Sequence, residues 1–284
     1  MSQSETAQSG STWTSRFVDA GGLRTHYLEA GDPAAPPVVL MHGGGAGADA
    51  TGNWHHTIPY LARTHRVIAP DMVGFGRTAK PESFEYSQAA RNRHLVDFFA
   101  ALRLDRAALV GNSMGGATAL GLAMARPELV DRLVLMGSAG LNSEITEALK
   151  PIVFYDYTAV GMQKLIAALT GKRFAVSAEL VQRRYELSID PDTRRAYTAT
   201  MAWIREQGGL FYAEDDIRRV HAPTLVVNGK DDLVVPLRNA YRFLELLPNS
   251  WGYFIPHCGH WAMLEAPADF IAATSTFLHA QVHA

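Results

Sequence analysis

Four short apolar runs constrain the fold of this chain more than any other feature. They are Pro37-Val38-Val39-Leu40-Met41, Arg66-Val67-Ile68-Ala69, Ala107-Ala108-Leu109-Val110 and Arg132-Leu133-Val134-Leu135-Met136. Each is too short for a helix and lacks the polar alternation of a half-exposed strand, which suits a strand buried on both faces of a parallel sheet. Helical patterns separate them, notably Gln88 to Leu104, with apolar Leu95, Phe98, Phe99 and Leu102, and Gly116 to Arg126, which Pro127 stops. Strand and helix in alternation predict an α/β fold built on a mostly parallel, doubly wound sheet.

The rest of the chain fits around that sheet. Arg16 to Glu29 alternates apolar and polar residues on both sides of Gly21-Gly22, the pattern of an antiparallel hairpin. After Gly140 the pattern changes: residues 142–209 carry helix-like, aromatic-containing segments and no clear strand, and read as an inserted helical cap. Strand patterns resume at Pro223 to Asn228 and Trp251 to Ile255, with helices at Leu237 to Leu247 and Pro267 to His279. The expected organisation is a core domain of residues 16–141 and 210–284 interrupted by the cap. Residues 1–15, rich in Ser, Thr and Gln, read as a flexible arm without the charged start and apolar run of a secretory signal.

Composition excludes several function classes. With 26 basic against 28 acidic residues the formal net charge is -2, too small a field to recruit nucleic acid or anionic lipid. No window approaches the roughly 18 consecutive apolar residues of a membrane-spanning helix. Cys258 is the single cysteine, which rules out an intrachain disulfide and fits a reducing, cytoplasmic location. The expected partner is a small molecule.

Chemistry concentrates in three loops. Gly111-Asn112-Ser113-Met114-Gly115-Gly116 lies between an expected strand and an expected helix, so small residues flank a sharp turn that exposes the Ser113 hydroxyl above the sheet edge. The helix that follows offers backbone N–H groups to a developing oxyanion. A serine hydroxyl is a poor nucleophile unless a base takes its proton, and the base needs an orienting carboxylate. Asp232, just past a strand, supplies the acid, with Asp231 its weaker competitor, and His260, after the last strand, supplies the base. His42-Gly43-Gly44-Gly45 follows the first parallel strand, where a backbone N–H can approach substrate unhindered and pair with that of Met114.

Other readings of these loops are weaker. The glycines lack the Gly-Lys-Ser/Thr of a P-loop and match a dinucleotide fingerprint only loosely. His257-Cys258-Gly259-His260 has no second ligand cluster at zinc spacing, and His55-His56 reads as surface or pocket lining rather than a ligand pair.

With these residues in place, the sequence resembles the meta-cleavage product hydrolases of the α/β-hydrolase fold, which cleave a carbon-carbon bond in ring-fission products of aromatic degradation. The likeness is closest to the carbazole and dibenzofuran types. It runs from about Arg16 to Leu278 on HGGGAGADATGNW, DMVGFGRTAKP, GNSMGGATAL, LVLMGSAGL, MAWIREQGGLFY, GKDDLVVP and WGYFIPHCGHWAM, and the chain order Ser, Asp, His is that of the fold.

The resemblance implies a triad of Ser113, Asp232 and His260, with Gly44 and Met114 as oxyanion-hole donors. It implies that Gly43, Asn53, Asn112, Arg184 and Trp261 meet a dienoate, Arg184 taking its carboxylate with Arg183 as nearest competitor. Val234 and Val235 would form walls of an apolar pocket for an aryl ketone, with cap residues such as Ile152 and Trp203 completing it. The implied substrate is a 2-hydroxy-6-oxo-6-arylhexa-2,4-dienoate, ketonised before Ser113 or a water it positions attacks the carbonyl. No metal or organic cofactor is needed, and family members generally form dimers or larger assemblies. The competing readings are a carboxylesterase on the same triad and a binding module on the same fold; relatives that remove halogen or open epoxides carry an aspartate where Ser113 stands.

Overall fold

The computed structural model describes residues 12–281. The first strands are β1 (Thr14–Ala20), β2 (Leu23–Ala30), β3 (Pro37–Met41), β4 (Arg66–Pro70), β5 (Ala107–Asn112) and β6 (Val130–Met136). The short β7 (Leu141–Asn142) and β8 (Leu210–Phe211) precede β9 (Thr224–Gly229) and β10 (Ser250–Ile255). Eight of these form one sheet in the order β1-β2-β4-β3-β5-β6-β9-β10. The hairpin β1–β2 is antiparallel and lies antiparallel to β4, and the other neighbours run parallel. All six residues of β5 and of β9 are buried, as strands covered on both faces require.

The helices are α1 (Ala50–Trp54), α2 (Ile58–Leu61), α3 (Gln88–Leu102), α4 (Met114–Ala125), α5 (Lys150–Val153), α6 (Ala159–Leu169), α7 (Ala178–Ile189), α8 (Pro191–Gln207), α9 (Glu214–Ile217), α10 (Leu237–Leu246), α11 (Ala262–Glu265) and α12 (Pro267–His279). Local chemistry sets their ends. Ser87 caps α3 through Ala90 N–H, and Asp190 caps α8 through Thr193 N–H ahead of Pro191 at its first position. Gly208 closes α8 with a left-handed φ of 74°.

Two features position the site. The chain leaves β3 outward to β4 and then returns to lay β5 on the other side of β3. That reversal opens a crevice beyond the strand C-termini, between the loop after β3 and the loop after β5. The second feature is the pairing of β7 with β8, Leu141 with Phe211 and Asn142 with Leu210, which encloses α5 to α8 between the neighbouring strands β6 and β9.

Most of the expected elements are present, with shifted ends. Residues 1–11 of the expected arm lie outside the described residues, and Thr14 and Ser15 pair with Glu29 and Leu28 in β1, so strand pairing begins two residues before the expected boundary. Helix α4 starts at Met114 rather than Gly116, because the turn at Ser113 caps it directly. Sequence periodicity gave no sign of α1 and α2, which are too short to carry one.

Candidate active site

Ser113 sits between the last residue of β5 and the first of α4 with φ 54° and ψ -119°. A non-glycine residue in that region stores strain. Its backbone is fixed on both sides: Ser113 N–H donates to Met136 O at 3.1 Å, and Ser113 O accepts from Ala117 and Ala139 N–H at 3.0 and 3.1 Å. The turn works only with small neighbours, since a Cβ on Gly115 would collide with the carbonyl oxygens of Met41 and His42. Met114 N–H, in the first turn of α4, has no partner within the helix.

The loop after β3 passes beside this turn. A Cβ on Gly44 would strike the Met114 side chain, so glycine lets the loop lie close against the start of α4 without displacing it. His42 holds the loop in place, its Nδ1–H donating to Gly43 O at 2.8 Å and its Nε2 accepting from Met72 N–H at 2.9 Å. Burial lowers the His42 pKa, which keeps the ring neutral and this pattern intact at neutral pH.

Asp232 and His260 form a buried pair. Asp232 Oδ1 accepts from Val234 and Val235 N–H at 2.9 and 2.8 Å, and Oδ2 accepts from His260 Nδ1–H at 2.8 Å. Asp231 is exposed to solvent, which leaves Asp232 as the carboxylate of the pair. With Nδ1 committed to the acid, His260 Nε2 is buried and has no hydrogen-bond partner among the described residues, Ser113 included. Ser113 and His260 border one cavity.

The cavity has two unlike ends. At one, Gly43, Gly45, Asn53, Asn112, Arg184 and Trp261 line the wall. Arg184 comes from α7, is 3% exposed, donates from Nη2 to Ala46 O at 2.8 Å and lies 4.7 Å over the Trp261 ring. Burial pushes its pKa down to about 10, against the attraction of Asp49, so it stays cationic at neutral pH. No carboxylate pairs with it among the described residues. Arg184 Nε, Asn53 Nδ2 and Asn112 Oδ1 are all buried without hydrogen-bond partners there, a costly state for polar groups unless a ligand completes it. Arg183, the competing arginine, is paired with Asp49, the residue that caps α1.

The other end is hydrocarbon, including Ile145, Leu149, Ile152, Met201, Val234 and Val235. Ile152 is where the sequence placed it. Trp203 is not on the wall and packs half-buried against the core. In the loop once considered for zinc, His257 is exposed while Cys258 is buried and its thiol pushed up by burial.

One positioning residue escaped sequence reasoning. Glu265 Oε2 accepts from Gly259 N–H at 2.9 Å and Gly171 N–H at 2.7 Å, and Oε1 accepts from Trp261 N–H at 3.0 Å. The carboxylate thus grips the His260 loop on both sides of the histidine. The same loop hangs on the helical segment, because His260 N–H donates to Leu169 O at 3.0 Å. An acidic residue five positions past a histidine carries no signal of such a role.

Comparison with known proteins agrees with this geometry. A family model described as alpha/beta hydrolase fold matches residues 36–267. The chain is 57% identical, over 95% of its length and 93% of the relative's, to the 2-hydroxy-6-oxo-6-(2'-aminophenyl)hexa-2,4-dienoic acid hydrolase of Metapseudomonas resinovorans. It is 39% identical, over 94% of its length and 96% of the relative's, to a 2-hydroxy-6-oxo-2,4-heptadienoate hydrolase of Pseudomonas putida. The crystal structure of a serine hydrolase involved in carbazole degradation superposes with a TM-score of 0.86 at 56% identity, covering 94% of this chain and 98% of that one. The chain belongs to the α/β-hydrolase fold family and, within it, to the meta-cleavage product hydrolases.

Proposed function

We propose that this protein adds water across a carbon-carbon bond of a 2-hydroxy-6-oxo-6-arylhexa-2,4-dienoate, releasing 2-hydroxypenta-2,4-dienoate and an aromatic carboxylic acid. The observation that carries the reading is the buried Arg184, without a carboxylate partner among the described residues, in a largely apolar cavity that Ser113 and His260 also line. A substrate with an anionic dienoate head and an aryl ketone tail matches that polarity from end to end.

In this reading Arg184 binds the carboxylate, and Asn53 and Asn112 complete their hydrogen bonds on the 2-oxygen beside Gly43 and Trp261. His260 Nε2, oriented by Asp232, delivers the proton that the dienol takes up at the carbon next to the ketone. The N–H groups of Gly44 and Met114 then hold the ketone oxygen as Ser113 Oγ, or a water that Ser113 and His260 position, adds to the carbonyl carbon. The bond to the protonated carbon breaks heterolytically, its electron pair leaves as the dienolate, which takes a proton on its 2-oxygen, and on the Ser113 route water then hydrolyses the acyl-enzyme to the aromatic acid and free Ser113. Val234, Val235 and Ile152 enclose the aryl ring, and residues 142–209 act as the cap that brings Arg184 over the site.

A carboxylesterase on the same triad has no use for a buried unpaired guanidinium, which counts against that reading. Among the described residues no helix is long and apolar enough to cross a membrane. A homo-oligomer in the cytoplasm completes the proposal, supported by the single cysteine and by the unpaired edge of β10 with its exposed Trp251 and Tyr253.

The test is the decay of the yellow dienolate absorbance on adding protein. Wild type clears it and Ser113→Ala does not. Arg184→Ala raises KM for the dienoate by about a hundredfold, in keeping with loss of a charge-assisted bond of about 1.5–3 kcal/mol. Fast turnover of short aryl esters, indifferent to Arg184→Ala, would install the esterase instead.

A further inference from the structure

One amide stands among the hydrocarbon of the apolar end. Asn142 closes β7 and is buried, and its neighbours on the cavity wall include Ile145, Leu149, Leu210, Val234 and Val235. Its own hydrogen bonds are at the long limit: Nδ2 donates to Val234 O at 3.4 Å, and Oδ1 accepts from Asn239 Nδ2 at 3.5 Å. Because a backbone carbonyl can only accept, the Val234 contact fixes which end of the amide is nitrogen, and Oδ1 keeps accepting capacity to spare. A leucine would fill this position without that desolvation cost.

The place of Asn142 along the cavity defines what it can meet. Ala139 N–H is bonded to Ser113 O, and three residues of extended chain span no more than about 10 Å. Asn142 also leans on Val234, two residues from Asp232. It lines the same cavity as Ser113 and His260, so a substituent on the ring close to the ketone is within its compass. We infer that Asn142 reads a hydrogen-bond donor, an amino or hydroxyl group, at the ortho position of the substrate's aryl ring. This rests on the dienoate reading of the cavity and adds the substituent that it recognises.

The experiment compares kcat/KM for the 6-(2-aminophenyl) and 6-phenyl dienoates in wild type, Asn142→Leu and Asn142→Ser. Wild type should favour the aminophenyl substrate by about tenfold or more, since a site built for a donor discriminates against a ligand lacking it. Asn142→Leu should bring the ratio to about one, and Asn142→Ser, which keeps a smaller acceptor, should fall between. The ratio is insensitive to general damage, and the serine variant keeps the test alive if the leucine variant does not fold. A wild-type ratio near one, or a leucine variant that lowers both substrates in proportion, overturns the assignment while leaving the hydrolase reading intact. A wild type that turns over neither substrate removes both.

Discussion

Ser15, His26 and Asp71 form a second line of the same three residue types that meet at the cavity as Ser113, His260 and Asp232. Ser15 Oγ lies 2.8 Å from His26 Nε2, and His26 Nδ1 lies 2.7 Å from Asp71 Oδ2, so this line is complete from end to end. Its remaining capacity is also taken up. Arg77 Nη1 donates to Ser15 Oγ at 3.0 Å, and the N–H groups of Ala50 and Arg77 reach the two Asp71 oxygens at 2.8 Å. Burial acts to raise the Asp71 carboxyl, but the hydrogen bond and charge of His26 hold it below the ordinary range. Ser15 occupies a strand, whereas Ser113 stands on a strained turn against a cavity, and His260 Nε2 is left open. Residue types and distances alone do not make a reactive serine. What separates the two lines is unfilled hydrogen-bonding capacity beside a cavity, and the filled line is a brace that ties β1 and β2 to the start of α1, the helix carrying Asn53.

The sharpest way to break this contrast is to remove each serine. Ser113→Ala should lower kcat on the dienoate by about 10⁴-fold or more, while Ser15→Ala leaves turnover at the wild-type level. Equal losses would show the brace to be part of the machinery. Next in size, His26→Ala strips the partner from a buried carboxylate. It should cost about 3–5 kcal/mol of stability, read as a lower midpoint in urea or thermal unfolding.

A pH titration sharpens the same region. His94, bonded to Thr25 next to His26, has its pKa held down to about 4 by burial, with Asp97 opposing. The folded state therefore keeps it neutral where the unfolded chain, with an ordinary value of 6.5, takes up a proton. Its contribution is fully present above that ordinary value and is lost as pH falls toward 4, by about 3 kcal/mol in all. His94→Gln should flatten that slope, and an unchanged slope would move its origin elsewhere. The smallest effect belongs to Glu265→Gln, expected to lower kcat about tenfold, or about 1.4 kcal/mol of barrier. KM should hold, because the change loosens the His260 loop rather than the binding end.

Much of the site was legible because its chemistry sits in loops of distinctive composition. Ser113, Asp232 and His260 each follow a strand whose apolar run marks it, and Gly44 is announced by three consecutive glycines. Arg184 was separable from Arg183 only through the family resemblance, and the structure shows it buried on α7 while Arg183 pairs with Asp49. The brace was not legible, because His26 and Asp71 are 45 positions apart and each looks ordinary in its strand or loop. Nor was the missing Ser113–His260 contact, which depends on side-chain placement that no spacing encodes. Trp203 misled for a related reason: an aromatic on an amphipathic helix packs as readily on a core as on a cavity.

The bond from His260 N–H to Leu169 O, with the Glu265 bridge to Gly171 beside it, joins the His260 loop to the last turn of α6. The helical segment beside the pocket and the loop that holds His260 are thus one mechanical part. A change in the last turn of α6 is therefore felt first at the backbone of His260.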